Sequence, residues 1–119
     1  MGSPRIVLTT APDRETGTAI ARALVERALV ACANLLPGAR SIYRWEGRIE
    51  ESDEILIVLK TSAERIGELE QALSELHPYE VPEFVVVAPS HVGAKYLSWL
   101  LSETSGGSEG PQGIPRSSR

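Results

Sequence analysis

Glu54-Ile55-Leu56-Ile57-Val58-Leu59-Lys60-Thr61 decides the fold. From Ile55 to Leu59 every residue is apolar, rather than every second one. A strand points successive side chains to opposite faces, so this run reads as a central strand covered on both sides. One layer of helices can cover one face. The other face needs a further cover, and a partner chain is the expectation.

Working upstream, Glu51-Ser52-Asp53 reads as a polar turn, and Arg40 to about Ile49 as a strand before it. Alternation along that strand places Tyr43, Trp45 and Ile49 on one face, with Arg44, Glu46, Arg48 and Glu50 on the other. Ala31 to Leu36 reads as another strand, ended by Pro37-Gly38. Arg5 to Thr10 is a short β-branched run, followed by a turn at Ala11-Pro12. Asp13 is placed to cap a helix from Arg14 to about Leu29, with Ile20, Ala23, Leu24 and Ala28 as its inner stripe.

Downstream, Ser62 is read as the cap of a helix that runs to about Leu76. Its core stripe is Ile66, Leu69, Leu73 and Leu76, and His77-Pro78 stops it. Phe84 to Ala88 reads as the last strand. Ser90 to about Glu103 reads as a last helix, with Tyr96, Trp99 and Leu100 on one side. The chain is read as α+β, in the ferredoxin-like order β-α-β-β-α-β plus a C-terminal helix, one strand fewer than the five runs set out above. Residues 1–104 form the expected domain. Residues 105–119 are Gly, Ser and Pro-rich and are expected to be a disordered tail.

The 119 residues suit one domain. Twelve basic residues lie among sixteen acidic ones, for a net charge of −4, which argues against a surface that tracks phosphates and so against nucleic acid as a partner. No apolar run approaches the roughly 18 residues of a membrane span. One cysteine, Cys32, cannot form an internal disulfide, and a cytoplasmic location is the expectation. The sequence carries no Gly-rich phosphate loop, no G-x-S-x-G elbow and no H-E-x-x-H helix, so a binding role is expected rather than catalysis.

The unusual segment is HPYEVPEF, His77 to Phe84. Pro78 and Pro82 bracket Tyr79-Glu80-Val81 and restrict the backbone there. One reading is a shaped helix-to-strand turn. The other is a pocket wall carrying ionisable groups, with Lys60 as a cationic partner. For metals, thiolate and imidazole suit copper, and the candidate soft donors are Cys32, His77 and His91. None of them has the close paired spacing of a closed zinc site.

Taken together, ACANLLPGARSIYRWEGRIE (Ala31–Glu50), ILIVLKT (Ile55–Thr61), HPYEVPE (His77–Glu83) and YLSWL (Tyr96–Leu100) resemble the CutA divalent-cation-tolerance family. The resemblance runs from about Ile6 to Ser102. It implies a ferredoxin-like subunit in a tight homotrimer similar to PII signalling proteins, with clefts between subunits. It also implies a metal-responsive role with weak binding of copper(II) or another divalent cation, for which Cys32 and His77 match the suggested positions. Some members carry further cysteines near the first helix and the last segment, and this sequence has none there. Two alternatives stand beside it. One is a PII-like regulator that takes a small ligand in a cleft lined by Trp45, Lys60, Tyr79, Glu80 and Glu83. The other is a trimeric scaffold for a partner protein.

Overall fold

The computed structural model describes residues 2–105. The tail expected over 105–119 therefore lies outside the described residues, except for Ser105. The chain forms β1 (Pro4–Ala11), α1 (Arg14–Glu26), β2 (Cys32–Trp45), β3 (Arg48–Ser62), α2 (Ile66–Leu76, entered through a 3-10 turn at Ala63–Arg65), β4 (Val85–Val87) and α3 (Ala94–Glu103). The strands lie in the order β2-β3-β1-β4, all paired antiparallel. This is the arrangement expected from the order of elements.

The central strand is β3, as its unbroken apolar run implies. Ile55, Ile57, Leu59 and Thr61 face Ala11, Thr9, Val7 and Arg5 of β1 across the ladder. On this face Val7, Ile57 and Leu59 pack with Ile20 and Leu24 of α1 and with Leu69 and Leu73 of α2 into one buried cluster. The periodic stripes of both helices were legible for this reason: each faces the same side of the sheet. Gly17 brings α1 close to the sheet, since a Cβ there would sit 3.3 Å from Leu35 Cδ2 and 3.4 Å from the Ala11 Cβ.

Asp13 caps α1 as expected, with Thr16 N–H donating to its carboxylate at 2.8 Å. That bond holds the Asp13 carboxyl below the usual range. The helix ends at Glu26 rather than Leu29. Ala28 turns left-handed at φ 60°, and Leu29 N–H bonds back to Leu24 O at 3.0 Å. The reversal drops Leu29 and Val30 into the core. Ser62 does not cap α2 with its side chain. Its hydroxyl is buried and donates to Thr104 Oγ1 at 3.1 Å, while Thr104 donates to Leu100 O, which ties β3 to the end of α3.

The largest corrections fall between residues 31 and 62. Pro37-Gly38 does not end a strand. It forms a bulge inside one long strand, visible as a register shift between Leu36 and Ala39. Proline is tolerated here because β2 is an edge strand. Glu51-Ser52-Asp53 is not a turn either, for it pairs with Ile42, Ser41 and Arg40 of β2. The turn is Glu46-Gly47, both left-handed at φ 51° and 80°, as a two-residue hairpin of matching twist requires. Trp45 consequently pairs with Arg48, and Arg44 with Ile49. Paired residues share a face, so Ile49 lies opposite Tyr43 and Trp45 rather than beside them. The two strands beyond the bulge form an arm, Ala39 to Asp53, whose turn end no described helix covers, leaving Ile42 and Ile49 exposed.

Candidate functional site

The sheet face away from α1 and α2 carries Cys32, Asn34, Val58 and Lys60 at one end, and Ser41, Ser52 and Glu54 at the other. Register fixes this grouping, since Cys32 pairs with Lys60, Asn34 with Val58, and Ser41 with Ser52. The HPYEVPE segment closes over the Glu54 end.

Two hydrogen bonds tie that segment to the sheet, one from His77 and one from Tyr79. His77 ends α2, and its ring is buried. Its Nε2 lies 2.7 Å from Thr10 O, and its Nδ1 accepts from Tyr79 N–H at 3.1 Å. One ring nitrogen must be an acceptor and the other a donor, so the ring is neutral with its proton on Nε2. The Tyr79 ring then stacks at a tilt on His77, 4.6 Å between centroids. Its hydroxyl donates to Glu54 Oε2 at 2.5 Å, while Ser41 donates to Glu54 Oε1 at 2.6 Å. Burial first, and the Glu54 bond second, push the Tyr79 phenol well above its ordinary value. The chain Ser41–Glu54–Tyr79–His77–Thr10 thus joins β2, β3, the loop and β1. Sequence reading named Tyr79 and His77 but missed Glu54 and Ser41. The available signal was a carboxylate opening an apolar strand.

At the other end, Lys60 donates to Asn34 Oδ1 and the half-buried Cys32 thiol lies 3.9 Å from the same oxygen. Cys32 and His77 are not brought together within one chain. Cys32 pairs with Lys60, whereas His77 binds the backbone of Thr10, which pairs with Leu56. Four residues of strand separate them, roughly 13 Å. Among the described residues no group of three or more His, Cys, Asp or Glu gathers to hold a metal. His91 lies exposed before α3.

The five residues expected to line a cleft are also dispersed. Trp45 sits at the arm's turn, twelve residues of strand from Lys60 by way of Arg48, or roughly 40 Å if fully extended. Tyr79 reaches Glu54, while Glu80 and Glu83 point to solvent. A cleft that used all five would have to draw them from more than one chain.

Residues 5–103 match the family pattern described as CutA1 divalent ion tolerance protein. The chain belongs to the CutA1 divalent ion tolerance family. A Divalent-cation tolerance protein CutA of Thermus thermophilus is 42% identical over 99 residues, covering 83% of this chain and 96% of the relative. The Citrobacter koseri protein of the same name is 43% identical over 95 residues, 80% of this chain and 83% of its own. The solved structure of the Thermus CutA1 superposes with a TM-score of 0.83, covering 85% of this chain and 98% of that one. A CutA structure from Archaeoglobus fulgidus, titled a periplasmic divalent cation tolerance protein, is 29% identical with a TM-score of 0.82 over 85% of this chain and 98% of that one. The α+β fold of the CutA1 family is therefore the fold of this chain. No described helix is long and apolar enough to cross a membrane.

Proposed function

We propose that this chain acts in divalent-cation tolerance as a homotrimer that binds copper(II) or a similar cation weakly and catalyses no reaction. The observation that carries the trimer is apolar surface left bare in one chain. Val85, Val86 and Val87 of the edge strand β4 are 48%, 39% and 42% exposed, and Ile42 and Ile49 on the arm are 64% and 60% exposed. Among the described residues β4 has one strand neighbour, β1. Exposed apolar edges invite pairing unless they are covered. Copies of the same chain are a cover consistent with the both-faces reading of β3.

Cys32 is the donor best placed for a cation, being half-exposed and soft. His77 must give up its bond to Thr10 or to Tyr79 before it can ligate, which accounts for weak binding. A single thiol suits a reducing compartment, so we place the action in the cytosol, and cell fractionation checks it. A small-ligand regulator is the second reading. It is supported by the rigid mounting of Tyr79 on Glu54 and by the need to gather Lys60, Trp45, Glu80 and Glu83 across chains.

Native mass spectrometry tests these readings together. Three copies of the 12.9 kDa chain are expected. Copper(II) adducts should weaken in Cys32→Ala and, less, in His77→Ala. A monomer mass sinks the trimer. Equal copper uptake by all three chains removes both residues from the proposal, and adducts with nucleotides or organic anions in its place favour the second reading.

A further inference from the structure

Two features of the chain fit each other but do not meet within it. The first is the turn of the arm. Trp45 and Arg48 pair across the ladder and so share a face, the one opposite Ile42 and Ile49. Trp45 and its neighbour on that face, Tyr43, are both exposed.

The second is a groove of about 540 Å³ beside α2. Pro82 and Phe84, both half-buried, give it an apolar wall, and the exposed Glu70 and Glu75 add two carboxylates. Gly67 lines it as well, at an exposed position of α2 where a Cβ would meet no heavy atom within 4 Å. Packing inside this chain therefore gives no reason for a glycine there, although in a helix interior it costs up to about 1 kcal/mol against alanine. A bare helix surface does admit close approach from outside the chain.

Charge points the same way. Between Tyr43 and Ile49 two arginines stand against one glutamate, whereas Ile66 to Phe84 holds five glutamates and no Lys or Arg. Among the described residues Arg44, Arg48, Glu70 and Glu75 make no ion pair. None of the groove's lining residues belongs to the arm, and the ladder from Ala39–Glu54 to Trp45–Arg48 keeps the turn from folding back. The turn that fits the groove is therefore that of another copy.

We propose that the turn of one copy's arm docks in the α2 groove of the next. Trp45 lies on Pro82 and Phe84, Arg48 opposes Glu70 and Glu75, and the turn crosses α2 at Gly67. Tryptophan and arginine are the side chains that most often anchor an interface, and the groove has the size of a pocket for side chains rather than for a domain. Arm on groove is a head-to-tail contact, which closes into a ring where the rotation allows. The inference rests on the trimer proposed above and names how its copies engage.

The test keeps the full chain. Gly67→Leu and Arg48→Glu should each raise the concentration at which the trimer dissociates, followed by sedimentation, by roughly tenfold or more. Leucine is the better helix former, so Gly67→Leu should leave the separated chain at least as stable, and lost assembly is then not lost folding. Glu70→Arg/Glu75→Arg added to Arg48→Glu should recover most of the loss. For a direct readout, Glu46→Cys and Ser74→Cys are combined in a Cys32→Ser chain and treated with a short bismaleimide. Links between chains should form in the combined variant and not with either new cysteine alone. A wild-type trimer that yields no such links, and that Gly67→Leu leaves unchanged, overturns the docking but not the trimer. Links within one chain also overturn it, and a wild type that stays monomeric at all concentrations removes both readings.

Discussion

Ile57 and Ile49 are the same residue type, eight positions apart on β3, yet they are 0% and 60% exposed. Ile57 lies in the half of the sheet covered by α1 and α2. Ile49 lies on the arm, where no described helix covers it. Apolar patterning therefore serves two purposes on one strand. In the covered half it drives folding of a single chain, and on the arm it leaves apolar surface exposed, the surface through which we propose that copies assemble.

The most severe way to break this comparison is to truncate both residues. Ile57→Ala should cost about 3–4 kcal/mol, the range for a fully buried aliphatic that leaves a cavity. Urea unfolding should return that cost at any protein concentration. Ile49→Ala should cost little in a separated chain, and its effect should grow with concentration, because only assembled chains lose by it. Equal costs that ignore concentration would place the arm in the fold rather than in assembly.

Glu54 marks the boundary between the two halves and sharpens the comparison. Glu54 is 9% exposed, and its carboxylate accepts hydrogen bonds from the hydroxyls of Ser41 and Tyr79. Glu54→Gln keeps the shape but weakens bonds that a charged acceptor strengthens, at a cost of about 1.5 kcal/mol. It should also change the alkaline limb of stability. The native chain holds the Tyr79 proton more tightly than the unfolded chain does, through burial and then through Glu54. That contribution is complete below about pH 10, the unfolded tyrosine value, and is lost as pH rises through the folded one. Urea midpoints followed from neutral to alkaline pH should fall less steeply in Glu54→Gln. Superimposable profiles would mean that Glu54 does not hold the phenol.

The same boundary separates what the sequence made legible from what it hid. Helix stripes and the Ile55–Leu59 run were readable because burial is periodic wherever one layer packs on another. The arm was misread because its signals are local. Pro37-Gly38 has the composition of a break but lies at an edge, where a bulge absorbs it. Glu46-Gly47 turns without the usual Asn or Asp, and the alternating Arg and Glu around it mimic an uninterrupted strand. At the candidate site, Tyr79 stood out by its flanking prolines. Ser41 and Glu54 did not, because they stand thirteen positions apart with the hidden Glu46-Gly47 turn between them.

Within the covered half, two buried threonines give the finest comparison and the smallest effect. Thr9 and Thr61 are both 0% exposed and point to the helix side. Thr61 Oγ1 donates to Leu29 O at 2.7 Å, which fastens β3 to the chain after α1. Thr9 Oγ1 has no partner among the described residues. A buried hydroxyl left unpaired is destabilising, whereas removing half of a made bond strands the other half. Valine has nearly the same shape as threonine, so the two substitutions should move stability in opposite directions. Thr61→Val should lose about 1–2 kcal/mol by leaving the Leu29 carbonyl unsatisfied. Thr9→Val should gain about 1 kcal/mol, read as a higher urea midpoint at unchanged slope. A loss at Thr9 would show that its hydroxyl has a partner in solution, and the covered half would then be less purely apolar than its packing indicates.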